Sequence, residues 1–400
     1  MKILHTADWH LGKKLDRFSR IEEQTLAMEE IIELAEQENV DAVIVAGDLF
    51  DNFNPNVEAI ELFYKSLRRL SNNGNRLVLA IAGNHDSPIF IDAPNPLARA
   101  CGIILIGFPN AEVIPYSADG FKITKTDKGF VEIVFPQHPY PLRVLHTPYA
   151  NENRLKQYFG EEKQKSLNEL LAHNWKNLAD LYCDTQGVNI LTTHLYMNKK
   201  ESDILEEPEG EKPIKIGNAD MVYSDAIPEQ IQYTALGHLH GFHNIGSEEK
   251  PILYSSSPLA YSFSEAGQKK YAIIITVEPG QKATYQKKQL LSGRSLERKS
   301  FSNVENAVKW LGDNPNTWVE LTLESETFLT AGERKKIFQT HQGIVYLIPK
   351  IKTEKTDINP YTKEIDLQKE TSELFKEYFK SKYQQQEPNE ELMNILKEIL

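Results

Sequence analysis

Residues 1–10 read MKILHTADWH and residues 42–48 read AVIVAGD. Each is a short apolar run that breaks off at metal-binding residue types. Lys2 to His5 leads to Asp8 and His10, and Ala42 to Ala46 leads to Gly47 and Asp48. Runs of this length, bounded by polar clusters, predict buried strands. Leu77 to Ala82, Val188 to Thr193 and Gln232 to Leu236 have the same form. Helical patterns separate the first three. One starts at Ser19, whose spacing to Glu22 reads as a capping box, and runs to about Glu38. Another runs from Asn56 to Leu70 and stops at Asn72-Asn73-Gly74. Strand and helix alternate, so the chain opens as an α/β fold.

The strand ends carry the chemistry. Asp8 and His10 follow the first strand, Asp48 the second, and Asn84, His85 and Asp86 the third. His194 ends a fourth, and His238 and His240 follow a fifth. In an open α/β sheet, residues just beyond the carboxyl ends of strands converge on one crevice. The mixture of nitrogen and oxygen donors suits manganese, iron or zinc better than calcium. A carboxylate can bridge two ions roughly 3.5–4 Å apart, and Asp48, at a sharp turn after Gly47, is the best candidate. Taken singly, an Asp-x-His is more often structural than catalytic, and a Gly-His-x-His pair could be a core histidine plus a surface one. Together, and each at a strand end, they point to one metal centre.

Composition fits a globular enzyme. The 400 residues are 40% hydrophobic and 26% charged, with a formal net charge of −12. That charge argues against gripping nucleic acid by electrostatics alone. No apolar run reaches the roughly 18 residues of a membrane span. The N-terminus does not read as a signal peptide, and two cysteines without CxxC spacing suggest a reducing cytoplasm. There is no GxxxxGK[ST] loop, so ATP hydrolysis is not expected.

Asp8-Trp9-His10, Gly47-Asp48-Leu49-Phe50-Asp51, Gly83-Asn84-His85-Asp86, Thr193-His194 and Gly237-His238-Leu239-His240 resemble the five motifs of calcineurin-like metallophosphoesterases. Pro213 to Gly217, Tyr254 to Leu259 and Ser262 to Glu265 narrow the resemblance to the bacterial SbcD exonuclease-subunit family, over nearly the whole chain. Ser256 departs from the family pattern, which has glycine there. The resemblance implies a four-layer α/β/β/α sandwich over residues 1–275. It implies a small α/β DNA-capping domain over 280–351 and a helical tail over 364–400.

It also implies two divalent ions, Mn2+ above all. One would take Asp8, His10, Asp48 and His240, the other Asp48, Asn84, His194 and His238. A hydroxide activated by both would attack phosphorus in line, with His85 as the acid at the leaving oxygen or steadying the phosphate. Asp51 is expected to fix the tautomer of His85, or else merely to cap its own turn, and Asp86 has the same two options. The implied activity is 3'-5' double-strand exonuclease and single-strand or hairpin endonuclease action in DNA repair and recombination. The implied partners are DNA, a second copy in a homodimer, and the SMC-like ATPase SbcC bound through the tail.

The residues of 280–351 agree with a small α/β unit. Capping boxes at Ser302 with Glu305 and Thr330 with Glu333 would open its helices, beside strands at Trp318 to Leu323 and Ile344 to Ile348. The tail offers two amphipathic faces, Leu374, Phe375, Tyr378 and Phe379, then Leu392, Ile395, Leu396 and Ile399. Two rival readings stay open. One is a phosphodiesterase with a non-DNA substrate, and the other is a metal-binding scaffold without catalysis.

Overall fold

The computed structural model describes residues 1–158, 163–200, 202–207, 221–325, 329–351, 371–382, 388, 393 and 396. Two sheets organise the first of its two compact units, which comprises Met1–Leu323 and Leu329–Pro349. The six-stranded sheet has the strand Lys2–Thr6 at its heart. On one side it pairs in parallel with Ala42–Ala46, then Leu77–Ile81, then Ile103–Ile106. On the other it pairs antiparallel with Lys270–Thr276, which pairs with Thr284–Leu290. The seven-stranded sheet centres on Val188–His194, flanked in parallel by Leu142–Thr147 and Tyr233–Gly237.

Alternation along the strands shows how the layers stack. Leu4, Val43, Val45, Val78 and Ala80 point towards helices Ile21–Gln37 and Val57–Leu70, against Met28, Ile31, Phe63 and Leu67. Their neighbours Ile3, Ile44, Leu79 and Ile81 face the second sheet, against Ile133, Val144, Ile190 and Ala235. On that sheet's far side Leu145, Leu191 and Leu236 pack on Leu171 and Trp175 of helix Lys163–Tyr182. Strands buried on both faces need apolar residues at every position, which is why they read as unbroken runs. The result is the expected four-layer sandwich.

Helix starts followed local chemistry less simply. Helix Ile21–Gln37 has Arg20 at its N-cap with no side-chain cap bond, so the Ser19–Glu22 box does not form. Arg20 is buried instead, bonded to Glu23 and to Ala260 O, so tertiary pairing sets this helix's entry. In the small α/β unit the cap of helix Val304–Asp313 is Asn303, one residue beyond Ser302, and it accepts from Asn306 N. The Thr330–Glu333 box forms as expected. That unit's sheet runs Ser295–Phe301, Thr317–Ser325, Ile344–Ile351, the first two parallel. Its core is Ala307, Leu311, Val319, Leu321, Ile337 and Ile344.

In the second unit, helix Thr371–Lys382 sets Phe375 beside Phe379, with ring centroids 6.1 Å apart. The expected second tail helix lies mostly, and the Pro213–Gly217 segment wholly, outside the described residues.

Ser256 stands where glycine was expected, and its φ of 87° lies in the region that favours glycine. Its hydroxyl offsets the strain: Oγ accepts from Tyr271 N at 2.8 Å and donates towards Tyr271 O at 3.2 Å. Ser256→Gly and Ser256→Ala both lose these bonds, but only alanine keeps the unfavourable backbone. Urea denaturation should therefore find Ser256→Ala the less stable of the two by about 1 kcal/mol. Equal midpoints would mean that the backbone carries no strain there.

Candidate metal centre

The loops after the strands are tied together before any ion is considered. Asp8 N donates to Gly47 O at 3.0 Å, His10 N to Asp48 O at 2.9 Å and Leu11 N to Leu49 O at 3.1 Å. Asp86 accepts from Gly83 N at 2.8 Å, Phe50 N at 2.9 Å and Leu49 N at 3.0 Å. It joins the Gly83–Asp86 turn to the Asp48 loop, a structural duty. Arg154 clamps the same turn from outside, bonded to Gly83 O at 2.8 Å and Asp86 O at 2.7 Å. Asp8, His10, Asp48 and His238 all have positive φ (55°, 44°, 48° and 105°). Such conformations cost on the order of 1–3 kcal/mol each and persist only where surroundings enforce them. Gly83 has to be glycine, because a Cβ there would stand 2.1 Å from Asp48 Oδ1.

The structure places all seven expected ligands in this buried crevice. Asp8, His10 and His240 form one cluster with ligand atoms within 4.8 Å of one another, and Asp48, His194 and His238 form a second. Asp48 stands between them. Its Oδ2 lies 3.2 Å from His194 Nε2 and 3.6 Å from His10 Nε2. Asn84 Oδ1 is 2.9 Å from His194 Nε2.

Hydrogen-bond bookkeeping tests whether cations fit. His194 Nδ1 faces Ala46 O at 2.8 Å, and a carbonyl only accepts, so this nitrogen carries the proton. In the neutral ring, the Nε2 lone pair then meets Asn84 Oδ1 and Asp48 Oδ2, both acceptors. Only a second proton or a cation satisfies all three. His10 Nε2 and His240 Nε2 face each other at 3.0 Å, a contact that one ring proton can satisfy and that a shared cation could replace. Asp8 Oδ2 is buried with no hydrogen-bond partner among the described residues. The donor set therefore fits two divalent ions.

Charges agree. Burial pushes Asp8 up to about 7, against the pull of His194 and His240. Burial also acts on Asp48, but His194, His85 and His10 outweigh it and hold this carboxylate well below its usual range. Burial would lower His194, yet Asp48 and Asp8 raise it to about 8. In the absence of metal, a proton on His194 takes the place of a cation.

His85 N donates to Asp48 Oδ1 at 2.9 Å, and its ring lies edge-on to His10 with centroids 4.8 Å apart. Its Nδ1 meets Asp51 at 2.7 Å through the main-chain carbonyl. The Asp51 carboxylate pairs with Lys13 Nζ at 3.2 Å and also sets an oxygen within 4.8 Å of ring nitrogens of His10 and His85. Asp51 thus meets His85 through its main chain, with its carboxylate close by. Beside His85 opens a cleft of about 770 Å³ lined by Lys13, Lys14, Asp51, Tyr261, Arg298 and Tyr346 among others. Two acidic groups at the centre were not anticipated. Glu207 Oε1 is 2.8 Å from His238 Nε2, and Glu265 Oε1 is 3.3 Å from His240 Nδ1. Glu207 sits in a charged run of the sequence, and Glu265 ends the Ser262–Glu265 segment that carries part of the family resemblance.

The model of the family "Calcineurin-like phosphoesterase" matches residues 1–242, which contain every one of these ligands. The chain belongs to that family. A curated relative, the SbcD subunit of the SbcCD nuclease of Bacillus subtilis, is 32% identical over 408 aligned positions, covering 100% of this chain and 97% of the relative. This places the chain in the SbcD branch of the family. Two solved structures overlap weakly. A dimetal phosphatase from Danio rerio has a TM-score of 0.41 at 11% identity, over 73% of this chain and 97% of its own. The protein TT1561 of Thermus thermophilus has 0.36 at 12%, over 72% and 98%. Family membership rests on the sequence matches, not on these overlaps.

Ions that bind the folded centre and not the unfolded chain stabilise the fold, by about 2.7 kcal/mol at a hundred times Kd. Mn2+ should therefore raise the melting temperature of this member of the family, and chelator should reverse the shift. Asp48→Asn, which removes the central charge, should abolish most of it. An equal shift in wild type and Asp48→Asn would place the ions elsewhere.

Proposed function

We propose that this phosphoesterase is the manganese-dependent DNA nuclease subunit of an SbcCD-type complex. In this reading it acts as a 3'-5' exonuclease on duplex ends and an endonuclease on single strands and hairpins. The observation that carries the chemistry is the pair of buried clusters meeting at Asp48, with His85 beside them and a cleft outside. The choice of DNA is supported by full-length likeness to a protein named as a nuclease subunit.

Asp8, His10, Asp48 and His240 would hold one ion, and Asp48, Asn84, His194 and His238 the other. The ions supply Lewis acidity, lowering the pKa of water and offsetting charge on the phosphate. His85 supplies the proton traffic. With Nδ1–H donating to Asp51 O, its Nε2 is the nitrogen left for substrate. Protonated, it gives that proton to the departing sugar oxygen. Residues 280–351 would cap the DNA, with Arg298 and Tyr346 already lining the cleft. Residues 364–400 would bind SbcC, which brings the ATP-dependent motor. The half-buried Phe375 and Phe379 suit such docking. We place the protein in the cytoplasm as a homodimer. Two free cysteines and the lack, among described residues, of any helix long and apolar enough to cross a membrane are in keeping with that placement.

The test is cleavage of a labelled hairpin-ended duplex by the purified chain with Mn2+, beside Mg2+ and chelator. Cleavage should require Mn2+ and vanish in Asp48→Asn. Loss of both Mn2+-dependent cleavage and any response to SbcC with ATP, in a chain that holds two ions, would favour a non-DNA phosphodiester.

His85→Ala should lower kcat by about 10²–10⁴-fold while leaving metal content intact. Asp51→Ala keeps the main-chain carbonyl and should cost far less. If both variants lose kcat equally, the Asp51 carboxylate acts directly and the carbonyl account is wrong.

A further inference from the structure

Glu265 ends the short 3-10 turn Phe263–Glu265, as the acidic half of a capping box with Ser262. Its Oε1 accepts from Ser262 N at 3.0 Å and Tyr261 N at 3.1 Å. A glutamate at a solvent-exposed turn can do this at little cost. This one is only 2% exposed, and burying a carboxylate is costly unless charge and hydrogen bonds compensate. The compensation is specific. Lys270, itself 6% exposed, sets Nζ 2.5 Å from Glu265 Oε2. The same ammonium donates to His240 O at 2.8 Å and to Ser257 Oγ at 3.1 Å. One cation thus holds the main chain of His240 and the carboxylate beside its ring.

The two nitrogens of His240 are divided between two environments. Nδ1 lies 3.3 Å from Glu265 Oε1, and Nε2 faces His10 Nε2 in the cluster with Asp8. An ionised acceptor at Nδ1 selects the tautomer with its proton there. It directs the Nε2 lone pair into the centre and makes that nitrogen a stronger donor. For His194 the equivalent partner is the neutral carbonyl of Ala46. His240 is therefore oriented by an ionised partner and His194 by a neutral one.

We propose that Glu265, held by Lys270, is a positioning residue that sets the His240 tautomer and strengthens cation binding in the Asp8–His10–His240 half of the centre. This rests on the reading that His240 holds an ion and is independent of the substrate.

The experiment is Mn2+ titration of the full chain, with free Mn2+ counted by electron paramagnetic resonance. The variants are Glu265→Gln, the charge-neutral pair Glu265→Gln/Lys270→Met, and Ser262→Ala. Glutamine keeps a carbonyl oxygen for the Tyr261 and Ser262 amides. Ser262→Ala breaks the capping box and leaves the ionised contact to His240. One of two Mn2+ constants should weaken about 10–100-fold in the Glu265 variants, with the other unchanged and Ser262→Ala like wild type.

Unchanged constants in a folded Glu265 variant would overturn the proposal. So would equal weakening in Ser262→Ala, which would reduce Glu265 to a cap. Wild type binding fewer than two ions would overturn the centre itself. Should neither Glu265 variant fold, nitrogen-15 spectra of zinc-loaded wild type decide. Protonated Nδ1 with zinc-bound Nε2 at His240 is expected, and the opposite tautomer refutes the assignment.

Discussion

Two carboxylates, Asp8 and Asp48, lie fully buried among imidazoles, and the rest of the main body is arranged around their charge. Neither could remain ionised in an apolar interior alone. Asp8 Oδ1 accepts from His238 N and Asp48 Oδ1 from His85 N, each at about the ideal distance. Asp48 Oδ2 points at His194 Nε2 and His10 Nε2, while Asp8 Oδ2 has no hydrogen-bond partner among the described residues. The positive-φ backbones of Asp8, His10, Asp48 and His238 are the conformational cost of aiming so many polar groups at one point. Asp86 and Arg154 help meet that cost by tying the loops from behind. Cations in the centre would turn an electrostatic liability into the strongest tie in the molecule.

Much of this was legible in the sequence, for a physical reason. Strands buried on both faces must be apolar throughout, so Ala42–Ala46 and its neighbours announce themselves. The ligands fall just past their ends, where side chains are free to meet. Helix boundaries were harder to read, because a capping box is a local signal that tertiary contacts can override. Ser19 loses its role because Arg20 is drawn inward to Glu23, and Ser302 because Asn303 serves better. Thr330, facing solvent with no such competitor, behaves as its spacing says.

The supporting groups were hidden for another reason. Arg154 acts on main-chain carbonyls, which have no sequence signature. Asp51 holds His85 through its own carbonyl, a contact that the side chain that drew attention does not reveal. Glu265 performs a local capping task and a long-range one with a single oxygen, and spacing reveals only the first. The orientation of a metal ligand is set by what lies on the ring's other edge, and that partner comes from wherever the fold brings it.

The most direct test of this account is anomalous diffraction from crystals of the chain soaked in Mn2+. The account predicts two peaks on either side of Asp48, about 3.5–4 Å apart, one near His10 and His240 and the other near His194 and Asn84. A single peak, or two that do not share Asp48, would contradict it.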